Sequence, residues 1–319
     1  MVAQQPQTHP AAARSARFKH IVFGFGTFGV SRARRRRAVN LAPPATLGAI
    51  TELCPDARGR QGPISLTAEE EEFIVWLFRR AGLDSRSYRP ETLRRRLPAC
   101  LRFLHVRDVR DARKLIDGDP TLVSTAVGAL VIGVTSFFRD APVFDHLTYT
   151  ALPSLSRSPR VWSAGCSDGE ELYSVAILLA EMNMLHRCHL LGSDCRPHAI
   201  ARARAGRYEV AAMREVPLSW KLKYFDKIAG GFQVRESLRA AVQWRTSDVT
   251  RVHEPGAWDL ILCRNMAMYL RAGVAAQLWQ AMETSLRPGG FLVLGKAERP
   301  VGATRLSANA PCIYRRDRG

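Results

Sequence analysis

The sequence predicts an α/β protein in which a doubly wound, mostly parallel sheet follows a small all-helical domain. Two observations carry this prediction. Between residues 66 and 133, apolar side chains recur with helical spacing in several short segments. From Val161 onward, apolar runs of strand length alternate with longer helical segments, which is the pattern of a sheet covered by helices on both faces.

Composition limits the size and partners of the protein. The chain has 319 residues, 46% of them hydrophobic, and can bury one large core and one smaller core. Its formal net charge of +18 predicts an anionic partner. Residues 1–62 carry ten basic and two acidic side chains, and residues 86–114 carry ten and three. No apolar run reaches the length of about 18 residues that a membrane span needs. The seven scattered cysteines are typical of a reducing compartment, so we expect a cytoplasmic protein.

The first 64 residues are predicted to form a basic, disordered extension. Within them Gly24, Gly26 and Gly29 spell GxGxxG after a short apolar run, as in dinucleotide-binding loops. However, "VSRARRRRAVN" and then two prolines follow, where a βαβ unit needs a packed helix and a second strand. We therefore do not expect this motif to bind a nucleotide.

A small helical domain is predicted over residues 65–133. Its first helix has Thr67 as N-cap, Glu70 as the capping-box partner and Gly82 as its end. Three further helical segments follow, over 90–104, 109–116 and 120–133. A linker helix over 134–158 is expected to join this domain to the sheet.

The sheet domain is predicted over residues 159–319. Its strands are "RVWSAG", "CHLLGSD", "DLILCRN" and "GFLVLG", and its helices include "EELYSVAILLAEMN" and "VAAQLWQAMETSL". The segment "GGFQVRESLRAAVQWRTSDV" has the pattern of two strands separated by a loop. It predicts a small antiparallel insertion around residues 209–246.

A glycine turn after the first strand is the clearest candidate binding loop. Gly165 and Gly169 permit a ligand to approach the backbone closely, and Glu170 and Glu171 begin the next helix. A bare helix N-terminus favours anions, but two carboxylates repel a phosphate. A cationic ligand such as S-adenosylmethionine fits better. The alternative is that both glutamates only complement the helix dipole.

Two other strand ends carry polar side chains. Asp194 closes the second strand, where an acid can accept hydrogen bonds from a ribose diol. Arg264 and Asn265 follow a buried strand, with Tyr269 one turn further on. A solvated aspartate, a surface ion pair and a core aromatic are the structural alternatives. The cysteines and histidines between residues 186 and 198 fit no common four-ligand spacing, so no metal is expected.

Four motifs in order resemble the chemotaxis receptor glutamate O-methyltransferases of the CheR type. They are "GVTSFFRD", "VWSAGCSDGEELYS", "LLGSDCRPHAIARARAGRY" and "DLILCRNMAMYL", and the resemblance covers about residues 66–315. It implies a class I S-adenosylmethionine-dependent methyltransferase with a Rossmann-like doubly wound sheet. S-adenosyl-L-methionine would be the cofactor and S-adenosyl-L-homocysteine the product.

The resemblance also implies roles for individual residues. Arg139 and Tyr269 match positions beside the transferred methyl group. Cofactor contacts are implied for Thr135, Arg139, Gly165, Glu170 or Glu171, Asp194, Asp248, Val249, Asn265 and Met266. Between the two glutamates, Glu171 is preferred. One departure is Gly133, which stands where many members carry a cofactor-contacting asparagine.

The implied function is methylation of glutamate side chains on the helical bundle of chemotaxis-type receptors. Four arginines are expected to dock this acidic surface: Arg94, Arg95, Arg96 and Arg102. We expect a monomer, and neither nucleic acid nor a receptor's tether peptide as a principal partner. Two alternatives stay open. The acceptor could be another signalling protein or RNA, or the chain could be a non-catalytic cofactor-binding module.

Overall fold

The computed structural model describes residues 66–131, 133, 135–252 and 254–318. Every described residue belongs to one compact unit of the chain. The predicted extension of residues 1–64, with its GxGxxG motif, therefore lies outside the described residues.

The first helix begins as its capping sequence predicts. The Thr67 hydroxyl accepts from the Glu70 amide at 3.2 Å, and the Glu70 carboxylate accepts from the Thr67 amide at 2.8 Å. This confirms the capping box. The helix buries Phe73, Leu77 and Phe78 against the helices that follow. The four helices of this region are α1 (Ala68–Arg80), α2 (Pro90–Phe103), α3 (Val109–Gly118) and α4 (Leu122–Leu130).

The predicted linker helix over 134–158 is wrong in its extent. Residues 135–140 form no helix, and α5 (Ala141–His146) is followed only by a π-helical and a 3-10 turn that end at Ser154. Asp140 adopts a left-handed conformation with φ of 64°, which an α-helix cannot contain. Its side chain is held in this turn by Arg264 and Lys296, so long-range ion pairs fix the break.

A seven-stranded sheet organises the rest of the described chain. Its strands are β1 (Arg160–Ala164), β2 (His189–Asp194), β6 (Val242–Thr246), β7 (Trp258–Cys263), β8 (Leu286–Leu294), β9 (Leu306–Ala310) and β10 (Ile313–Arg316). They lie in the order β6-β2-β1-β7-β8-β10-β9, in which the first five are parallel and the last two run antiparallel to their neighbours. The strand order reverses between β1 and β7, and this switch point is where open α/β sheets bind ligands.

The remaining helices connect these strands. They are α6 (Glu170–Glu181), α7 (Pro197–Ala205), α8 (Leu218–Tyr224), α9 (Glu236–Arg239) and α10 (Ala272–Ser285). The α/β class predicted from the alternation of apolar segments is confirmed.

The predicted insertion around residues 209–246 is only partly right. A second sheet of order β3-β5-β4 contains β3 (Arg207–Glu209), β4 (Phe225–Ile228) and β5 (Gly231–Val234). However, β6 pairs in parallel with β2 and belongs to the main sheet. Gly192 of β2 makes room for the Trp244 ring of β6 in this pairing, because a Cβ atom at position 192 would lie only 2.4 Å from that ring.

Candidate functional site

A cavity opens at the carboxyl ends of β1, β2, β6 and β7, on both sides of the switch point. Of the predicted site residues, ten line it: Thr135, Arg139, Gly165, Glu171, Asp194, Asp248, Val249, Asn265, Met266 and Tyr269. These residues come from five separate segments of the chain. The fold therefore brings nearly all of the predicted site residues together around one cavity. The role of each residue toward a ligand is still a prediction.

The glycine turn uses its amides within the protein. The Gly165 and Cys166 amides donate to the Ser193 carbonyl at 2.8 and 2.9 Å, and the Ser167 amide donates to the Asp194 carboxylate at 2.9 Å. Gly165 has φ of 72° and Ser167 has φ of 53°. This left-handed backbone is easy for glycine and uncommon for serine. The turn is thereby locked onto the end of β2.

Glu171 belongs to a buried network around Arg264. The Ser163 hydroxyl donates to its Oε1 at 2.8 Å, and Arg264 Nη1 donates to its Oε2 at 3.1 Å. Arg264 Nη2 donates to the Asp140 carboxylate at 2.8 Å and to the Arg139 carbonyl at 2.9 Å. Partial burial opposes ionisation of Asp140, but Lys296 and Arg264 hold its pKa below the usual value. Arg264 thus fixes both Glu171 and the turn that carries Arg139.

Glu298, which the sequence analysis did not single out, holds the loop after β7. Its carboxylate accepts from the Asn265 and Gly295 amides at 2.8 Å each and from the Met268 amide at 3.1 Å. The side chain is buried. Three amide donors compensate the cost of burying a charge. They also stabilise Asn265 in its left-handed conformation, with φ of 58°.

Tyr88 is a second residue that the sequence analysis missed. It precedes α2 but lines the same cavity. The Arg89 amide donates to the Tyr269 carbonyl and the Arg271 amide to the Ser87 carbonyl, both at 2.9 Å. This antiparallel bridge ties the helical region to the Tyr269 loop. Only pairing across about 180 positions places Tyr88 there, and no local sequence signal indicates it.

Glu170 is the one predicted cofactor contact that does not line the cavity. Its side chain is 5% exposed, and among the described residues its buried Oε2 atom has no hydrogen-bond partner. Glu170 and Glu171 differ in this way because consecutive side chains in the first turn of a helix point about 100° apart. Burial raises the pKa of Glu170 to about 7, although a backbone hydrogen bond opposes the shift.

Glutamine at position 170 should stabilise the protein at neutral pH. An acid whose pKa rises on folding binds more protons in the folded state, so wild-type stability falls as the pH rises from about 4.5 to about 7. Denaturant unfolding should show a Glu170→Gln advantage about 2–3 kcal/mol larger at about pH 8 than at about pH 5. The exposed Glu72→Gln on α1 is the matched control. A pH-independent difference for Glu170→Gln would contradict the prediction.

The four arginines expected to dock a receptor lie on α2, away from the cavity lining. Arg95 and Arg102 are exposed and Arg94 is half-buried. Arg96 is also half-buried, and its Nε donates to the Ala129 carbonyl at 3.2 Å. One of the four therefore has a structural contact within the helical region.

Over residues 66–318, with the gaps given above, no group of three or more histidine, cysteine, aspartate or glutamate side chains could hold a metal ion. In the same described residues, every helix is too short or too polar to cross a membrane.

Comparison with known proteins identifies the family. The family described as CheR methyltransferase, SAM binding domain, matches residues 133–312, which is more than half of the chain. The chain belongs to this CheR family. The match begins at Gly133 and spans β1, the glycine turn, Asp194 and the Tyr269 loop. The family's binding domain therefore contains every cavity wall except those of Tyr88 and Val131.

Individual relatives of this CheR protein are similar over most of the described chain. The chemotaxis protein methyltransferase of Listeria innocua is 29% identical over 222 residues, which are 68% of this chain and 85% of that protein. That of Klebsiella aerogenes is 30% identical over 232 residues, 70% of this chain and 80% of that protein. The protein named probable biofilm formation methyltransferase WspC, from Pseudomonas aeruginosa, is 28% identical over 240 residues, 72% of this chain and 56% of that protein.

The cavity's donor set fits S-adenosylmethionine. Three carboxylates line the cavity, those of Glu171, Asp194 and Asp248, and negative charge suits a ligand that carries an ammonium and a sulfonium group. The Asp248 carboxylate is oriented by the Thr250 amide and hydroxyl at 2.9 and 2.8 Å. Gly165 leaves the turn without a side chain beside Met266. Two of these three carboxylates already have an arginine partner, because Glu171 is paired with Arg264 and Asp194 with Arg196.

Proposed function

We propose that this protein methylates glutamate side-chain carboxylates of chemotaxis-type receptors, forming glutamate methyl esters in the cytoplasm. One observation supports this most strongly: Arg139 and Tyr269 line the same cavity as the carboxylates of Glu171, Asp194 and Asp248. A cation for the acceptor carboxylate thus lies beside acids suited to a cationic cofactor. The similarity to chemotaxis methyltransferases over most of their length is consistent with this assignment.

Within this proposal, Thr135, Gly165, Glu171, Asn265 and Met266 hold the methionine and sulfonium part of the cofactor. Asp194 meets the ribose, and Asp248 and Val249 meet the adenine. When bound, S-adenosylmethionine supplies an electrophilic methyl group on sulfur. The carboxylates of Glu171 and Asp248 are fixed in advance by Arg264 and Thr250, which lowers the cost of ordering them on binding.

The acceptor needs no general base. A glutamate with an ordinary pKa of about 4.3 is already ionised at neutral pH. What remains is to align the carboxylate oxygen and to remove water from it without losing its charge. Alignment of this kind can contribute about 7–11 kcal/mol. Arg139 would hold the incoming carboxylate by charge-assisted hydrogen bonds, and Tyr269 would orient it.

The basic surface of α2 would guide the receptor to the cavity. Arg95 and Arg102 lie seven residues apart, so they share one exposed face of the helix. With the half-buried Arg94, they give this face a positive charge that suits an acidic helical bundle. Arg96 contributes less, because its Nε is used by the Ala129 carbonyl.

Base-labile methyl transfer would test the proposed reaction. The full chain should transfer tritiated methyl from S-adenosylmethionine to receptor-containing membranes, and alkali should release the label as methanol, because the product is a carboxyl ester. Arg95→Glu with Arg102→Glu should lower the rate at low salt and reduce its salt dependence, without changing cofactor affinity. Alkali-stable label, or label in nucleic acid, would contradict the proposal.

A second acceptor is favoured by one comparison. The similarity to WspC, whose printed name is probable biofilm formation methyltransferase, is consistent with a substrate outside chemotaxis. A receptor-like protein of another signalling pathway is therefore the alternative substrate. Ester label on that protein, but not on chemotaxis receptors, would favour it. Intact cofactor binding with no labelled acceptor in lysate or membranes would instead indicate a non-catalytic module.

A further inference from the structure

The Asp194 carboxylate receives four hydrogen bonds from the protein itself. Its Oδ1 accepts from the Arg196 amide at 3.0 Å and from Arg196 Nε at 2.9 Å. Its Oδ2 accepts from the Ser167 amide at 2.9 Å and from Arg196 Nη2 at 3.2 Å. A carboxylate has about four acceptor positions. All of them are therefore taken before any ligand arrives.

Two of these four protein donors can give way to donors of a ligand, and the other two cannot. The Ser167 and Arg196 amides are set by the backbone of their turns. The other two donors are Nε and Nη2 of one guanidinium, which form a fork on the two carboxylate oxygens. A ribose likewise offers two adjacent O–H donors. The guanidinium fork and a ribose diol therefore compete for the same acceptor positions.

The fork is built into the fold. Arg196 is 5% exposed, and its Nη2 also donates to the Ser167 hydroxyl at 3.1 Å, which donates in turn to the Gly133 carbonyl at 2.9 Å. A Cβ atom at position 133 would lie 2.0 Å from Nη2 and 2.1 Å from Nη1. Such contacts are impossible without movement, so the guanidinium keeps its place only because residue 133 has no side chain.

We propose that Arg196 is a specificity-determining residue, which weakens recognition of the ribose diol by occupying the acceptor positions of Asp194. The proposal rests on the proposed binding of S-adenosylmethionine in this cavity. It accounts for Gly133 and Arg196 together, since the glycine makes room for the arginine. Binding of the nucleoside part then requires the fork to open, and the affinity for the cofactor is set below what Asp194 alone would give.

Calorimetric titration with S-adenosylhomocysteine tests this inference. Arg196→Ala should bind about tenfold tighter than wild type, because the diol no longer displaces two charge-assisted hydrogen bonds. Arg196→Ala should also discriminate more strongly against the 2′-deoxy analogue of the ligand. Arg202→Ala is the matched control, since Arg202, on the helix that Arg196 precedes, forms a similar fork with Asp168 outside the cavity lining. Its affinity should equal that of wild type.

A double-mutant cycle separates this role from a merely structural one. Gly133→Ala should push the guanidinium off Asp194 and tighten binding, but in the Arg196→Ala background it should change nothing. Circular dichroism and thermal melting would check the fold of each variant. Unchanged or weaker binding by Arg196→Ala, or equal effects of Gly133→Ala in both backgrounds, would overturn the inference alone. If neither wild type nor Arg196→Ala binds S-adenosylmethionine or S-adenosylhomocysteine, the proposed function itself fails.

Discussion

Replacing Arg139 with alanine is expected to abolish methyl transfer while leaving most of the affinity for S-adenosylhomocysteine. Arg139 lines the cavity, and its carbonyl is anchored by Arg264 at 2.9 Å, so its guanidinium extends from a fixed turn. Loss of a preorganised donor at a reacting group costs about a hundredfold to a thousandfold in rate. Single-turnover labelling should show a loss of at least that size, and calorimetry should show a nearly unchanged dissociation constant.

Two further variants sharpen this test. Arg139→Lys keeps the charge but loses the fork of donors, so it should recover only part of the rate. Asp194→Ala should behave in the opposite way and lose ligand binding first, because it removes the acceptor proposed for the ribose. If Arg139→Ala and Asp194→Ala lose affinity equally, the division between a catalytic and a binding residue is wrong.

Replacing Arg264 with methionine is expected to have the largest effect on stability. The side chain is 2% exposed and bonds Glu171, Asp140 and the Arg139 carbonyl. Removing one partner of a buried charge network leaves the others unpaired, at a cost of about 3–5 kcal/mol. Chemical denaturation should therefore show a much lower free energy of unfolding for Arg264→Met. Because Glu171 and Arg139 lose their common anchor, cofactor affinity and transfer rate should fall as well.

An exposed arginine provides the control for this second result. Arg305→Met makes the same chemical change at an exposed position outside the cavity lining. Its unfolding free energy should stay within about 0.5 kcal/mol of wild type. The double variant Arg264→Met with Glu171→Gln should be less destabilised than the sum of the single variants, since the two side chains share one hydrogen bond. Strict additivity would contradict the buried network as the cause.

The sequence was most informative where all the residues that determine a structural feature lie within one short segment of the chain. Thr67 and Glu70 are three residues apart, and their capping box forms as predicted. The strands that end at Ala164, Asp194 and Cys263 were recognisable because apolar runs of that length form buried strands. Since parallel strands bring their carboxyl ends to one edge, the strand ends predicted that Asp194, Arg264 and Asn265 would lie there. Many of the other site residues were predicted from the resemblance to a family.

The predictions that were wrong depend on partners far along the chain. The linker helix was too long because Asp140 is held in a left-handed turn by Arg264 and Lys296. The second strand of the predicted insertion belongs to the main sheet because Trp244 packs over Gly192. In both cases a contact across 50 or more positions overrides the local pattern, and no local spacing encodes such a contact.

The sequence by itself determined the α/β class, the helical region before the sheet and the edge where the candidate site lies. These follow from hydrophobic periodicity and from strand polarity, which are properties of the chain read in order. Only the tertiary structure decided that Glu171 and not Glu170 lines the cavity, and that Tyr88 lines it too. It also decided that Arg196 already donates to the carboxylate of Asp194. The physical reason is that a side chain's direction and its ion-pair partner are fixed by packing between distant segments.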